Sequence, residues 1–200
     1  MKIYDISQEV LHCRVYPGDP APHRTILQSM ERGDLYNLSA FQMCVHNGTH
    51  VDAPSHFLEN GKTVDGIGIE PFVGMTYVAQ HDGTVSADDA AAIMNKAQAA
   101  DSGAARRILI KGSAEVSWEA AEVFARSNIL LLGNESQSVG PESAPMAVHK
   151  LLLRQDIVLL EGIRLSEVRE GVYLLSAAPL NIAGAEGSPC RAVLIDLNQP

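Results

Sequence analysis

The sequence predicts an α/β domain with a mixed sheet. Short apolar runs typical of strands alternate with helix-like segments in the middle of the chain, and further strand-like runs cluster at its ends. Two hundred residues, of which 46% are hydrophobic, provide enough apolar surface for one core. We therefore expect residues 1–200 to form a single domain.

Each element is predicted from a local pattern. Strands are expected over residues 2–6, 24–30, 38–46, 73–79, 108–110, 129–132, 157–160, 172–177 and 191–196, and helices over 87–100, 117–126 and 145–153. Ser86 and Asp89 form a capping-box pattern before the first helix, and Ser117 is a suitable N-cap for the second. The stretches 60–74 and 184–189 are predicted loops.

Composition excludes several classes of protein. The net charge of −9 argues against a nucleic-acid partner and against docking on anionic membranes. The longest apolar runs have four or five residues, far fewer than the ~20 that span a bilayer, and no signal peptide is visible. Three cysteines without a C-x-x-C pair fit a reducing compartment, so a cytoplasmic protein is predicted.

The stretch His46–Phe57 carries the strongest functional signal. It places three histidines and an aspartate at even positions: His46, His50, Asp52 and His56. In an extended chain, even-numbered side chains share one face, and the apolar odd positions 41, 43 and 45 continue the alternation upstream. A half-buried strand leading into the cluster is therefore predicted. A helix is the weaker interpretation, because Gly48 and Pro54 disfavour it.

Imidazole and carboxylate groups at this spacing suit a borderline divalent metal such as zinc or manganese. The alternative is a polar strand end with hydrogen-bonded histidines, but burying four such groups without a ligand is costly. His149, in an apolar helix, and Glu161, at the end of a buried strand, are the next candidates. Their spacing permits them to join the same site, although a structural role for either remains open.

Tyr16 precedes Pro17 and Gly18 in a predicted ordered turn, which places an aromatic side chain on a rigid loop. A surface position and a ligand-contacting role are both compatible with this placement.

The motif H-N-G-T-H-V-D-A-P-S-H-F at 46–57 closely resembles the signature of the cyclase-like metal-dependent hydrolases, which include bacterial kynurenine formamidase and isatin hydrolase. The turn Y-P-G-D at 16–19, the pair His149 and Glu161, and the segment S-P-C-R-A-V-L at 188–194 are similar to further family features. The resemblance thus extends over most of the chain.

The resemblance implies a mixed-sheet, swivelling β/α architecture assembled as dimers or tetramers. It implies a metal site for one or two divalent ions, with Zn²⁺ favoured and Mn²⁺ possible, from the ligands His46, His50, Asp52, His149 and Glu161. His56 would transfer protons, and Tyr16 would contact the substrate where formamidases often carry Trp. Thr49 and Glu135 depart from the Ala and Asp common in the family.

The expected activity is hydrolysis of an aryl N-formyl amide such as N-formylkynurenine, a step of tryptophan catabolism. A bound metal would activate water, and His56 would protonate the leaving nitrogen. Three alternatives remain. The protein opens lactam or lactone rings, as isatin hydrolase does; it binds metal without catalysis; or it is an iron oxygenase with a His-His-Asp triad.

Overall fold

The computed structural model describes residues 1–141 and 144–197. The strands in these ranges are β1 Lys2–Asp5, β2 His23–Gln28, β3 Leu38–Gln42, β4 His50–Asp52, β5 Val73–Gln80, β6 Gly83–Val85, β7 Arg107–Lys111, β8 Ala114–Val116, β9 Leu131–Asn134, β10 Val158–Glu161, β11 Gly171–Ser176, β12 Gly187–Pro189 and β13 Val193–Asp196. The α-helices are α1 Ala87–Ala100, α2 Trp118–Arg126 and α3 Pro145–Leu153.

One large sheet organises the chain, with nine strands in the order β1-β13-β11-β5-β7-β9-β10-β4-β12. The central strands β5, β7, β9 and β10 run parallel, and the strands on both flanks pair antiparallel. The predicted α/β fold with a mixed sheet is confirmed.

The sheet separates two apolar clusters. Ile108 and Ile110 of β7 point into a core shared with the three helices, while Leu109 between them points to the opposite face. That second face is covered by residues of the segments between strands, such as Phe72 in a short 3₁₀ helix and Ile163, and the three α-helices lie on the other face. The central parallel strands are buried on both faces, which explains their nearly continuous apolar sequences.

Local signals place the first two helices. The Ser86 and Asp89 side chains form a reciprocal capping box with the backbone at the start of α1. The Ser117 side chain accepts a hydrogen bond from the Ala120 backbone N–H at the start of α2. All three predicted helices are present, with bounds within one residue of those expected.

The structure changes two predictions and adds one pair of strands. The strand predicted over 38–46 is present only over Leu38–Gln42, and its predicted half-buried character is wrong, because all five residues of β3 are exposed. The predicted loop 184–189 contains β12, which pairs with β4. The short parallel pair β6 and β8 was not anticipated. No helix in the described ranges has the length and apolarity needed to cross a membrane.

The strands β2 and β3 form a separate antiparallel hairpin outside the main sheet. Nearly all of its residues are exposed, and several carry large apolar side chains, with Leu35 being 91% exposed. An isolated two-stranded hairpin is marginally stable in water. This hairpin arm, residues 23–42, therefore lacks the packing that stabilises the nine-stranded sheet.

Gly133 offers a test of the packing at the centre of the sheet. A Cβ atom at this position would lie 2.7 Å from Leu109 Cδ2 and 2.8 Å from the Leu160 carbonyl oxygen. Since the carbonyl belongs to a paired strand, Gly133→Ala is expected to lower the free energy of unfolding by about 1–3 kcal/mol. Gly68→Ala is the matched control, because no atom lies within 4 Å of its Cβ position. Equal urea midpoints for the two variants would contradict this account.

Candidate metal centre and active site

Strand pairing brings the two distant motifs together. β4 pairs with β10 in a register that sets His50 opposite Glu161 and Asp52 opposite Leu159. Val51 points into the apolar cluster away from the helices, so its neighbours His50 and Asp52 point to the helix side. Glu161 shares this side, because Leu160 before it points away from the helices.

Helix α3 adds His149 from above the sheet. Val148 and Leu152 anchor the helix in the helix-side core. The His149 Nε2 atom then lies 3.1 Å from Glu161 Oε1 and 3.6 Å from Asp52 Oδ2. The structure thus brings His149 and Glu161 into the same site as the first motif.

His46 and His56 reach the site by turns, which the alternation argument did not foresee. His46 lies in a turn before β4, and His56 ends a short 3₁₀ helix, Pro54–His56. Gly48 adopts φ +70° between them and permits the reversal. Only His50 and Asp52 share a face through extended geometry. The common strand face predicted for all four side chains is therefore wrong, although they do gather in one place.

Two ligand triplets share one carboxylate. His46, His50 and Asp52 form one, and Asp52, His149 and Glu161 form the other, with the ligand atoms of each triplet lying within 4.8 Å of one another. His46 Nδ1 is 2.9 Å from Asp52 Oδ1. The four residues His50, Asp52, His149 and Glu161 are 1% to 3% exposed. Asp52 thus belongs to both triplets and would be available as a ligand in each.

The buried atoms left without partners fit a divalent cation. Asp52 Oδ2 and His46 Nε2 are buried and form no hydrogen bond within the described ranges. The His50 Nδ1 atom lies 3.0 Å from the Gly48 carbonyl oxygen, which only accepts, so Nδ1 carries the proton. In the neutral ring, the Nε2 lone pair then faces carboxylate oxygens 3.5 Å away on Asp52 and Glu161. Lone pairs directed at one another require a proton or a bound cation between them.

The charge state of the site matches this requirement. Burial favours a higher pKa for Asp52, but the His46 hydrogen bond and nearby imidazoles outweigh it and lower the pKa. Burial and the Asp52 charge likewise oppose ionisation of Glu161, yet the adjacent imidazoles of His149 and His50 lower its pKa. Burial disfavours the charged form of His50, but the two carboxylates raise its pKa. Two ionised carboxylates therefore attract a cation. The donor set suits a divalent metal.

His56 lies beside the ligands without belonging to either triplet. Its ring centroid is 4.0 Å from that of His46 and 6.4 Å from that of His149. Burial, opposed by the charge of Asp52, lowers the pKa of His56 below its ordinary value, so the ring is neutral at neutral pH. A neutral imidazole beside the site is able to accept a proton and return it.

A cavity of about 410 Å³ opens over the metal-ligand cluster. His56, Phe57 and Tyr16 line it, together with Glu161. The turn around Tyr16 is present as predicted, with the Asp19 N–H donating to the Tyr16 carbonyl at 3.0 Å. Tyr16 is 37% exposed and lines the cavity, so its side chain lies at the surface and also at the cavity wall.

Other site residues were missed. Glu186 Oε1 lies 3.7 Å from His46 Nε2, and Gln137 lines the cavity, yet neither gave a local signal because both belong to irregular loops. The two departures from the family pattern have structural roles. Thr49 Oγ1 donates to the Gly162 carbonyl and accepts from the Gln8 N–H. The Glu135 carboxylate accepts from the backbone N–H groups of residues 112 and 165.

Comparison with known proteins agrees with this geometry. Kynurenine formamidase of Salinibacter ruber is 34% identical over 100% of both chains. A solved structure described as a potential metal-dependent hydrolase with cyclase activity superposes with a TM-score of 0.82 at 28% identity, covering 100% of this chain and 99% of the other.

Isatin hydrolase A from Labrenzia aggregata shares the fold with a TM-score of 0.79 at 21% identity, covering 96% of this chain and 93% of the other. The family model described as putative cyclase matches residues 4–141. This match and the full-length similarity to the Salinibacter relative show that the chain belongs to the cyclase family of metal-dependent hydrolases.

Proposed function

We propose that this chain is a metal-dependent amide hydrolase that removes the formyl group from aryl formamides such as N-formylkynurenine. The observation that carries the proposal is the pair of ligand triplets joined at Asp52, with the neutral imidazole of His56 beside them. The name of the Salinibacter relative, similar over its full length, supports the choice of substrate class.

We propose His46, His50, Asp52, His149 and Glu161 as the ligands. Mixed imidazole and carboxylate donors favour zinc, with manganese as the second choice, and the shared carboxylate accommodates one or two ions. When bound, such an ion lowers the pKa of a coordinated water and polarises a carbonyl group.

His56 transfers the proton that passes from water to the leaving group during hydrolysis. The water oxygen bonds to the formyl carbon, the carbon–nitrogen bond breaks, and one proton passes from water to the departing amine. Asp52 and Glu161 are ionised and hydrogen-bonded, whereas both ring nitrogens of His56 lack hydrogen-bond partners in the described part of the chain. His56 is therefore the group that accepts this proton and delivers it.

Aromatic side chains orient the substrate ring. Phe57 packs against His149 with ring centroids 4.9 Å apart and faces the cavity, while Tyr16 forms part of the wall. An aryl group placed between them gains apolar contact and ring stacking. Tyr16 is thus the substrate-binding residue, and its phenol replaces the larger indole common in formamidases.

Opening of a cyclic aryl amide is the second candidate activity. It uses the same nucleophile and proton transfer, and the fold shared with the Labrenzia isatin hydrolase favours it.

The hairpin of β2 and β3 supports a homo-oligomer. Its residues 23–42 carry two basic and two acidic side chains, so this arm is neutral on a chain of net charge −9. A second copy therefore meets the arm with little repulsion, and apolar residues such as Leu35, Phe41 and Met30 become buried. A dimer or tetramer formed through this arm supplies the packing that the hairpin lacks.

We place the enzyme in the cytoplasm as part of tryptophan catabolism. Its three cysteines are free thiols, as expected in a reducing compartment.

Metal content is the first test. Asp52→Ala removes the carboxylate shared by both triplets and is expected to abolish most metal binding, whereas His56→Ala retains the wild-type content. Mass-spectrometric metal analysis of the purified proteins measures this. Asp88→Ala, at an exposed carboxylate of α1, is the control. Wild-type metal content in Asp52→Ala would overturn the ligand assignment.

Turnover is the second test. With metal bound, His56→Ala is expected to lower kcat for formanilide by roughly 10²- to 10⁴-fold, because proton transfer is lost. His12→Ala, on the surface, serves as the control. A metal-binding protein without catalysis predicts no formanilide hydrolysis by the wild type. Isatin included in the same assay discriminates formamide cleavage from ring opening.

Oligomer formation is the third test. Leu35→Asp combined with Phe41→Asp places charge on the exposed arm and is expected to convert the wild-type oligomer to monomer. Ile69→Asp, at an exposed apolar residue elsewhere, is the matched control. Molar mass from light scattering after size-exclusion chromatography gives the readout. A monomeric wild type, or an unchanged mass in the double variant, argues against the arm as the interface.

A further inference from the structure

A second cavity of about 270 Å³ lies beside the metal cavity. The two share a wall made of Tyr16, Gln137 and Ser138. A substrate with an aromatic centre and a polar extension is therefore able to occupy both, with its ring at the shared wall. The function of this second cavity is not explained by formamide hydrolysis itself.

Two exposed charged residues line the second cavity. Arg14 and Glu115 both line it, and neither side chain forms a hydrogen bond or ion pair with any residue in the described ranges. Glu135 also lines the cavity, but its two oxygens accept backbone hydrogen bonds of 2.7 Å and 2.8 Å. The cavity thus offers one free cation and one free anion, with the serine hydroxyls of residues 113, 136 and 138 nearby.

The backbone holds Arg14 in a defined position. Its N–H donates to Gln8 Oε1 at 2.9 Å, and its carbonyl accepts from Gln137 Nε2 at 2.9 Å. The same carbonyl accepts from the N–H of Gly48, within the metal-binding motif, at 3.4 Å. The backbone of Arg14 is therefore hydrogen-bonded to the turn that carries His46, and its exposed side chain extends from this point.

The loop 135–140, which forms another wall of the second cavity, is hydrogen-bonded to the segment that carries Glu161. The Val139 N–H donates to Glu161 Oε1 at 2.7 Å, and the Gly162 N–H donates to the Ser136 carbonyl at 2.7 Å. The loop 135–140 thus faces the second cavity while its backbone contacts a metal ligand. Backbone hydrogen bonds therefore connect the walls of the second cavity to the metal-binding segments.

We propose that the second cavity binds the α-amino acid end of the substrate, with Arg14 pairing the carboxylate and Glu115 pairing the ammonium group. This inference rests on the proposed aryl formamidase function and narrows it to formamides that carry a zwitterionic side chain. A guanidinium matches the planar geometry of a carboxylate, and a free carboxylate complements an ammonium group.

Holding the amino acid end of the substrate apart from its formamide end also prevents the amino acid group from chelating the metal. A free α-amino acid group presents nitrogen and oxygen donors that are able to chelate a divalent metal. Holding this group in a neighbouring cavity keeps it away from the ligand triplets, while the aryl formamide lies at the cavity that contains His56. Specificity and correct orientation then arise from the same two ion pairs.

The test compares two substrates in the metal-loaded enzyme. N-formyl-L-kynurenine carries the amino acid, and 2′-formamidoacetophenone has the same aryl formamide without it. Arg14→Gln is expected to lower kcat/KM about 10- to 100-fold for the first substrate, as a lost charged hydrogen bond implies, and less than about twofold for the second. Glu115→Gln is expected to show the same selectivity with a smaller loss.

Arg126→Gln is the matched control, because this exposed arginine of α2 lines neither cavity. Equal losses for both substrates, or no loss for either, would overturn the amino acid assignment while formamide hydrolysis stands. If the wild type hydrolyses neither formamide, the proposed function fails instead.

A binding measurement separates these outcomes from catalysis. Calorimetric titration with L-kynurenine is expected to show about tenfold weaker binding to Arg14→Gln than to wild type, and titration with 2-aminoacetophenone no difference. Selective weakening supports the second cavity as an amino acid site even in a variant without turnover. Equal affinity of Arg14→Gln and wild type for L-kynurenine refutes it.

Discussion

Two ionised carboxylates buried in one place are the constraint on which this structure depends. Asp52 and Glu161 are 1% and 2% exposed, and an uncompensated charge at such depth costs several kcal/mol. The protein compensates with imidazoles on three sides and with the Val139 N–H. The positive charge still required explains why a divalent cation belongs here, and why the ligands come from elements that cannot move apart without breaking the sheet.

The sheet supplies that rigidity. β10 lies between β9 and β4 with apolar side chains on both faces, so the position of Glu161 follows from packing that no single loop controls. α3 is fixed by its own buried residues and carries His149 with it. His56, Tyr16 and Arg14 belong instead to turns and loops around the ligands. The framework thus holds the cation site, and the loops shape the substrate cavities.

The interpretation of the motif at 46–57 shows how far local patterns lead. Its donor types pointed to a divalent metal, and the structure gathers His46, His50 and Asp52 in one triplet. The prediction that alternate residues of one strand share a face is correct only for His50 and Asp52, because His46 lies in a turn that Gly48 permits. The extended arm before it misled the alternation argument, since exposed apolar residues follow the same pattern as buried ones until a partner surface is known.

The sequence by itself determined the features that depend on neighbours along the chain. These are the helix starts at Ser86 and Ser117, the buried central strands, and the donor types that suit a divalent metal. Only the tertiary structure decided the pairing of β4 with both β10 and β12, the approach of His149 to Glu161, and the second cavity around Arg14. Backbone pairing between distant segments leaves little trace in local periodicity, because its free energy comes from packing and hydrogen bonds formed after the chain has folded.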